Sequence, residues 1–460
     1  MIFNRLNRSI KAGFKAFSRS YEAASRGRRM NTFRGATNAG PNMEIGYDLP
    51  TLRNRSRKFV RDNGWAKSAV NAIVNNAVGE GIRPAPSIGT KNQIKKVKEL
   101  WYEWAESTKC DWDGKSTFYG LQNIIMMEIA EAGDCLIVRR RVNDDIPIKI
   151  QVVEGDQLDE SKNFVNEMGY ACLGVQYNTS GQIIGYWVFP KHPNDAFSMF
   201  SLQSEFIAKE DIIHPYEILR AGQVRGVPMG VSSFLKLSDF SDYEDAQLVR
   251  QKAAAAYCAF VTGREKENDD VEMLEPGTIQ YLNENETITF GNPPKADGYS
   301  EYSTKILQGI AASYGITYEM LTKDYSNVNF TSGRMAMLNC LSQFKKWQYQ
   351  MLVPMVCAPV WDWFINACII SGKLSKYVPC NSRDWTAPRV QMIDPNKETT
   401  ALVLKLQNGL TSWSEVIRES GRDPDELYDE LMREREELKK IGITFNINTK
   451  PNAEEEESKT

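Results

Sequence analysis

The feature that most constrains the fold is a long segment without helix-breaking residues. Residues 232–261 contain neither proline nor glycine, and residues 253–256 are four consecutive alanines. Because proline and glycine most disfavour a helix interior, the segment predicts one continuous helix. At a rise of 1.5 Å per residue this helix would be about 45 Å long. A chain of 460 residues, roughly three domain-sized units, therefore has a long helix near its middle.

A short acidic module and a second helix follow the long one. Residues 263–298 hold 3 basic and 9 acidic residues, a net charge of −6, and include the turn signal Pro276-Gly277. Within them, residues 287–290 read Thr-Ile-Thr-Phe, a composition typical of a strand. Residues 299–313 predict the second helix. The predicted order is therefore helix, small β module, helix.

The remaining chain combines helices with a β-rich region. Residues 51–78 predict a helix that is interrupted near Asn63 and Gly64. Residues 175–177 and 183–189, on either side of a turn, predict a β-hairpin. The mixture makes the predicted fold class α+β. Further predicted elements are helices at 94–106, at 118–133, from 332 towards 372 and within 397–443, and strands at 135–138, 146–153 and 212–214.

Charge is distributed unevenly along the chain. Residues 1–61 carry 14 Lys and Arg against 3 Asp and Glu, a net charge of +11, while the remainder carries a net charge of −14. Phe3, Leu6, Ile10, Phe14 and Phe17 follow helical spacing within this basic segment. Three interpretations stay open: docking against a partner or neighbouring subunit, contact with nucleic acid or a membrane, and targeting. A secretory signal is excluded because no apolar core follows.

One stretch has the length and apolar composition of a membrane-spanning helix. Residues 351–370 contain a single charged side chain, Asp362, together with Asn366 and two prolines, Pro354 and Pro359. A central charge and two helix-breaking residues are costly in a bilayer. The stretch is therefore predicted to be a buried core helix, and no membrane is expected among the partners.

The sequence offers little material for catalysis. Only His192 and His214 are histidines, and no two cysteines have the spacing of a CxxC motif. His214 is interpreted as a packed strand residue, and Asp239, Asp242 and Asp245 as a solvated helix face. No P-loop, GxSxG, HExxH or GxGxxG motif occurs. We therefore expect no catalytic residues, no metal site and no cofactor, which favours a structural or assembly protein.

A series of short motifs resembles one family. Residues 323–332, Lys-Asp-Tyr-Ser-Asn-Val-Asn-Phe-Thr-Ser, resemble the D-Y-S-x-x-N-Y-S-S signature of lambda-type bacteriophage portal proteins. Phe330 stands where the signature has tyrosine. The match extends in order over about residues 50–430. Its other elements are Leu52-Arg53-x-Arg55-Ser56-Arg57, Arg61-Asp62-Asn63-Gly64-Trp65-Ala66, Asn75-Asn76-x-Val78-Gly79-x-Gly81, Ala221-Gly222-Gln223-x-Arg225-Gly226-Val227-Pro228, Leu274-Glu275-Pro276-Gly277, Gly315-Ile316-x-Tyr318-Glu319-x-Leu321, Ile393-Asp394-Pro395-x-Lys397-Glu398, Asn408-Gly409-Leu410-Thr411-Ser412 and Gly421-Arg422-Asp423-Pro424.

The resemblance implies a ring, typically of twelve subunits, with the regions of a phage portal fold. These regions are a β-rich wing, a two-helix stem, a small β clip and a helical crown. The implied division is a basic N-terminal arm at 1–50, the wing at 51–228, stem helix 1 at 229–262, the clip at 263–298, stem helix 2 at 299–314, a tunnel-loop region at 315–333, a long helix and wing return at 334–396, crown helices at 397–445 and an acidic disordered tail at 446–460.

The resemblance also implies a role and a set of partners. The ring would sit at one capsid vertex of the virion, after assembly in the host cytoplasm, and would be the conduit for DNA entry and exit and the docking point for the tail. Its partners would be other copies of itself, the terminase large subunit, major capsid and scaffold proteins, a tail adaptor protein, and double-stranded DNA without sequence specificity. The alternative is another ring-forming head-tail adaptor or connector, and an enzyme acting on nucleic acid is a third interpretation.

Two sets of site residues follow from the same resemblance. The first is the tunnel loop, expected to be mobile and to contact DNA in the channel, although Tyr325 and Asn329 could instead only cap the next helix. The second is the clip, expected to contact terminase and the tail adaptor. The loop residues are Lys323, Asp324, Tyr325, Ser326, Asn327 and Asn329, and the clip residues are Glu265, Glu267, Asp269, Asp270 and Glu272.

Overall fold

The fold begins with two helices that meet at the predicted interruption. The computed structural model describes residues 38–86, 89–167, 169–195, 203–255, 259–262, 287–290, 298–375, 384–388 and 395–442. Helix α1 (Pro41–Asp62) ends at Asn63, whose side chain accepts hydrogen bonds from the backbone amides of Trp65 and Ala66. That cap starts helix α2 (Gly64–Ala77) in a new direction, because an N-cap residue has extended backbone angles.

The predicted N-terminal arm is too long by about ten residues. Residues 41–50 lie within α1, Leu49 is fully buried, and the Asn42 side chain bonds the backbone of Gly222 and Val224. Glu44 pairs with Arg220 across the same contact. The prediction of an arm reaching residue 50 is therefore wrong at its C-terminal end, and residues 1–37 lie outside the described residues.

An aromatic cluster forms the centre of the helical core. Helix α3 (Lys91–Ala105) contributes Trp101 and Trp104, and helix α4 (Phe118–Ala132) contributes Phe118. The Trp101 ring lies 5.3 Å, centre to centre, from Phe118, and the two tryptophan rings lie 4.9–5.3 Å from those of Trp361 and Phe364. Burial of such large rings is a major contribution to folding free energy. The chain thus joins segments about 260 residues apart into one core.

Two antiparallel sheets make up the β-rich region and confirm the predicted strands and hairpin. In the first, strand β2 (Cys135–Arg141) lies between β3 (Ile148–Glu154) and β9 (Ile212–Ile213). The second has five strands in chain order. Leu136 and Val138 of β2 pack against the second sheet, so a separate small core forms between the sheets. The strands of the second sheet are β4 (Phe164–Asn166), β5 (Gly169–Cys172), β6 (Val175–Tyr177), β7 (Ile183–Val188) and β8 (Glu205–Ala208).

The long central helix is shorter than predicted. Helix α5 runs over Phe234–Ala255, and Ala259–Thr262 forms strand β10 instead of a continuation of the helix. Strand β10 pairs antiparallel with β11 (Thr287–Phe290), so Ala259 faces Phe290 and Thr262 faces Thr287. The prediction of helix to residue 261 is wrong, because pairing with β11 satisfies backbone groups that local propensity assigned to a helix.

The second half of the chain is mainly helical. Helices α6 (Tyr299–Tyr314) and α7 (Tyr318–Thr322) lead to α8 (Phe330–Trp347), which continues through a π-helical segment, Gln348–Cys357, into α9 (Ala358–Ile370). Residues 331–370 are long and apolar enough to cross a membrane by length and composition, and half of their most apolar window is buried. Val356, Val360 and Phe364 belong to the core, in agreement with the predicted core helix.

The C-terminal part of the described chain is a short strand followed by three helices with few buried residues. Strand β12 (Asp384–Thr386) pairs with β1 (Arg83–Ala85) near the N-terminal helices. Helix α10 (Pro395–Gln407) has no buried residue, and α11 (Trp413–Glu419) and α12 (Pro424–Lys440) follow. The charged helical region predicted at 397–443 is therefore confirmed as three helices.

Candidate functional site

The candidate site is the loop 323–329, which joins two helices. Helix α7 ends at Lys323, whose backbone adopts a left-handed conformation (φ 60°) and donates its amide to the Glu319 carbonyl. Beneath the loop, Leu321 is buried and its carbonyl accepts a hydrogen bond from the Ser68 hydroxyl. The loop therefore starts from a point held to helix α2 in the core.

Asp324 organises the first half of the loop. One carboxylate oxygen accepts hydrogen bonds from the Ser326 hydroxyl at 2.6 Å and the Ser326 backbone amide at 3.0 Å. The Tyr318 hydroxyl reaches the other oxygen at 3.3 Å. The two bonds from Ser326 hold the pKa of Asp324 below its usual range. Asp324 and Ser326 thus shape the backbone turn and have fewer free polar atoms to offer a ligand.

Asn329 and Val328 organise the second half. Asn329 caps helix α8: its side chain accepts from the Ser332 amide at 2.8 Å, and the Ser332 hydroxyl accepts from the Asn329 amide. Val328 lies so close to Gly333 that a Cβ there would be 2.8 Å from a valine methyl. This apolar contact is one that the sequence analysis missed. The sequence left open whether Tyr325 and Asn329 cap the next helix. Asn329 does so, whereas the Tyr325 side chain is 62% exposed.

Three loop side chains extend into solvent. Lys323, Tyr325 and Asn327 are exposed, and they make no side-chain bond to another of the residues described here. They supply a cation, an aromatic ring with a hydroxyl, and an amide. Such a set can contact phosphate oxygens and sugars without a base-specific pattern.

The predicted clip residues cannot be placed in the same way. Glu265, Glu267, Asp269, Asp270 and Glu272 lie outside the described residues. The described residues on either side of this segment are the paired strands β10 and β11, in which Thr262 faces Thr287.

A buried charge cluster, which the sequence analysis did not identify, ties α1 to the β-rich region. Asp134 accepts from Arg53 and from Arg225, whose Nε lies at 2.8 Å, and the side chains of all three are at most 1% exposed. The Arg225 guanidinium also donates to the Gly155 carbonyl at 2.7 Å, and both arginines reach Glu160. The only sequence signal was that both arginines stand in the motifs shared with portal proteins.

The electrostatics of this cluster keep Asp134 ionised. Burial alone would raise the pKa of Asp134, but Arg225 and Arg53 together hold it well below its usual range. His214 Nε2 lies 3.0 Å from Asp134, and burial lowers the pKa of His214. His214 is thus packed, as predicted, with a specific partner, but it lies one residue beyond strand β9 and not within it.

A second cluster of charged residues is half-buried, and three of its side chains lie close enough together to hold a metal ion. Arg57 lies 2.6 Å from a Glu154 oxygen and 2.7 Å from an Asp156 oxygen, and His192 lies 3.6 Å from Glu154. Glu154, Asp156 and His192 could hold a metal ion by distance. The Arg57 guanidinium already supplies the compensating cation there, so we assign no metal to the cluster. Glu128 belongs to the same cluster, and its pKa is raised to about 7. Burial is the largest cause, and repulsion from the nearby Glu154 carboxylate is the second.

Comparison with known proteins decides the family. The model of the family described as "Phage portal protein, lambda family" matches residues 26–348, which is more than half of the chain. The chain belongs to the lambda family of phage portal proteins. It is therefore a structural component of the phage head-tail connector.

Relatives of this portal protein carry consistent names. The probable portal protein of Halomonas phage phiHAP-1 is 22% identical over 93% of this chain and 88% of that protein. The portal protein of Escherichia phage N15 and portal protein B of Escherichia phage lambda are each 21% identical, over 88% of both chains. The neck of a native gene transfer agent particle with C12 symmetry aligns with a TM-score of 0.47 and 14% identity, over 82% of this chain and 94% of the other.

Proposed function

We propose that this portal protein assembles into a ring of twelve copies at one capsid vertex. DNA would enter through the ring, driven by the terminase large subunit, and leave through it after a tail adaptor has docked. The observation that carries the ring is a set of large apolar side chains left exposed on the long helices. Leu235 and Val249 on α5 are 79% and 65% exposed, and Met335 and Leu338 on α8 are 60% and 53% exposed.

Exposure of this kind supports association between identical copies. Soluble monomers seldom leave several large apolar side chains in water along helices, because each buried one contributes about 1.5–3 kcal/mol. Contacts between different faces of identical copies close into a ring when the rotation between neighbours allows it. The same role implies contacts with the major capsid protein and scaffold in the virion, after assembly in the host cytoplasm.

The loop 323–329 is proposed to face the channel and contact the duplex. Lys323 can pair with a phosphate, and Tyr325 and Asn327 can donate hydrogen bonds to phosphate or sugar oxygens. Asp324, Ser326 and Asn329 then act as the frame that presents these three side chains. A single lysine per copy keeps the electrostatic hold weak, which suits DNA that must slide.

The acidic module is proposed as the contact for terminase and the tail adaptor. Its net charge of −6 and its position between α5 and α6 support this role. Rings with Lys at Glu265, Glu267, Asp269, Asp270 and Glu272 should assemble but bind terminase weakly. Unchanged terminase affinity would exclude the assignment.

Point substitutions in the loop test the DNA role more cleanly than a deletion. Deleting residues 326–329 would also remove the Asn329 cap of α8. Lys323→Ala combined with Asn327→Ala leaves the internal hydrogen bonds in place. We expect normal twelve-fold rings by electron microscopy and normal terminase binding, but heads that lose or under-fill their DNA in a nuclease-protection assay.

The matched control is Lys345→Ala, which removes an exposed lysine from the last turn of helix α8, the helix that follows the loop. It should leave both rings and DNA filling unchanged. Full, stable heads with the double substitution would refute the DNA-contact role. If the unmodified protein forms rings that neither bind terminase nor admit DNA, the protein is better explained as an adaptor that is not the packaging conduit.

We also propose that the protein has no catalytic activity and needs no cofactor. Asp134 is engaged by Arg53 and Arg225 in the first charge cluster, and Glu154 and Asp156 are engaged by Arg57 in the second. DNA movement would then take its energy from the terminase. Nucleotide or phosphodiester hydrolysis by the purified ring would contradict this proposal.

A further inference from the structure

Helices α3 and α12 enclose an open groove near the C-terminus. The Lys98 ammonium lies 2.7 Å from an Asp423 oxygen, and the Tyr102 hydroxyl donates to Glu426. Both contacts are at the first turn of α12. Beyond them lies a groove with a volume of about 1550 Å³. Its apolar lining consists of Ile94, Tyr102, Tyr428, Leu431, Met432 and Leu438.

The groove lining remains accessible to water in a single copy. Leu431 and Met432 are 50% and 59% exposed. The opposite side of α3 is occupied by the core, because it carries Trp101 and Trp104. Helix α3 therefore has one apolar side that packs in the core and a second side, with half-buried Ile94 and Tyr102 among charged residues, that faces the groove.

Helix α10 is amphipathic and is not buried by the described part of its own chain. None of its residues is buried, although it contains three leucines and a valine within five positions. At 100° per residue, Leu402, Val403 and Leu406 lie on one side of the helix, and Leu404 lies on the opposite side. Glu398 and Lys405 flank the apolar side, and charges of both signs, including Lys95 and Glu99, line the groove.

We propose that α10 of one copy lies in the groove between α3 and α12 of the next copy. The proposal rests on the proposed ring and deepens it by naming one contact between neighbours. The size fits: a helix of 13 residues is a cylinder about 20 Å long and about 10 Å wide, which occupies about 1600 Å³. Burying the apolar side of an amphipathic helix in a groove is a common mode of protein recognition.

The geometry of this contact is that of a closing ring. The helix and the groove are different surfaces of the same chain, so each copy offers one of each to its two neighbours. Such a heterologous contact repeats head to tail and closes when the rotation is right. Within the described residues the groove is open and α10 has no buried residue, with Leu402 and Leu406 half-buried and Val403 and Leu404 exposed. This favours a second copy over the described part of the same chain as the occupant.

Disulfide trapping tests the contact in assembled rings. One full-length variant carries Leu406→Cys with Leu431→Cys, and its matched control carries Leu404→Cys with Leu431→Cys. Under mild oxidation the first should give a ladder of covalent oligomers on a non-reducing gel, and the second should not. Mixed rings of single variants Leu406→Cys and Leu431→Cys should give covalent dimers only.

A charge substitution provides an independent measurement. Leu406→Asp should raise the protein concentration at which half of the chains are in rings by about tenfold or more relative to Leu404→Asp, as for a central interface residue. Rings that form without the interchain ladder, or a cross-link within one chain, would overturn this contact while the ring itself stands. Unmodified protein that never forms rings would overturn the proposed function and this contact with it.

Discussion

The buried carboxylate Asp134 offers the sharpest test of how this fold is held together. It accepts hydrogen bonds from Arg53, from Arg225 at 2.8 Å and from the Gly226 backbone amide at 3.0 Å. Replacement by asparagine keeps the shape and the volume. It removes the negative charge and turns one acceptor into a donor that faces other donors. Of the carboxylates that bond the two buried guanidinium groups, only Glu160 would then remain.

The expected cost follows from burial and from the partner that remains. Removing one member of a buried ion pair typically costs about 3–5 kcal/mol, because the other charge is left uncompensated in a low dielectric. The side chains of Arg53, Asp134 and Arg225 are at most 1% exposed, so water does not screen the loss. Glu160 is 23% exposed and retains part of the compensation. We therefore expect Asp134→Asn to lower the free energy of unfolding by about 3 kcal/mol.

Thermal unfolding followed by intrinsic tryptophan fluorescence measures this effect. A loss of about 3 kcal/mol corresponds to a melting temperature lower by roughly 3 °C in a chain of this size. Asp239→Asn is the matched control, because Asp239 is exposed on helix α5 and should change the melting temperature by less than about 1 °C. Equal melting temperatures for both variants would refute the argument that this cluster stabilises the contact between α1 and the β-rich region.

The pH dependence of the same effect has a defined sign. The pKa of Asp134 in the fold lies well below its usual range. Its contribution is therefore complete above the unfolded pKa of about 3.9 and is lost only as the pH falls through the lower, folded value. The difference in melting temperature between the wild type and Asp134→Asn should be equal at pH 5.5 and pH 8.

Three further predictions concern other parts of the chain. Glu128→Gln should stabilise the protein by about 1–3 kcal/mol at pH 8 and do little at pH 4, because burial raises the pKa of Glu128 from 4.5 to about 7, so the cost of keeping this carboxyl in the fold accumulates between these two pH values and is complete above pH 7. Equal gains in melting temperature at pH 4 and pH 8 would contradict this. Asn329→Ala should lose about 1 kcal/mol of helix capping and speed amide exchange in the first turn of α8, whereas Asn327→Ala should not. A chain that begins at Asn38 should assemble and melt like the full chain. A chain that begins at Thr51 should melt at a lower temperature, because it lacks buried Leu49 and the bonds of Asn42. Equal melting temperatures of the two truncated chains would show that residues 38–50 do not stabilise the rest of the fold.

Elements defined by local chemistry were predictable. The interruption at Asn63 follows from a side chain that caps the next helix, and the hairpin at 175–188 from alternation around a turn. The core helix containing Phe364 follows from apolar composition with one charge. In each case neighbouring residues in the chain supply the interactions, so the pattern is visible without the fold.

The errors arise where distant segments compete with local preference. Residues 259–262 continue an alanine-rich helical run, yet they pair with residues 287–290, more than twenty residues away. Residues 41–50 belong to a basic segment, yet Asn42 bonds Val224 and Glu44 pairs with Arg220. Propensity describes one residue in its local context, and it contains no term for a partner far along the chain.

In the candidate loop, the sequence identified the segment, and the structure decided which of its side chains are available. The sequence identified Lys323 to Asn329 through a family signature, and it left open whether Asn329 contacts DNA or caps a helix. The structure shows that Asn329 bonds Ser332 and that Asp324 bonds Ser326, so Lys323, Tyr325 and Asn327 are the side chains available to a ligand.

The order of the motifs in the sequence was thus enough to identify the family and, through it, a structural role, and the pattern of elements indicated the α+β class. Only the tertiary structure brought Arg53, Asp134 and Arg225 together, although they are separated by 81 and 91 positions. Charged residues at such separations show no periodicity, because their pairing depends on how whole elements pack. A buried ion cluster is stable only where every charge finds its partner in three dimensions, and that condition is a property of the fold.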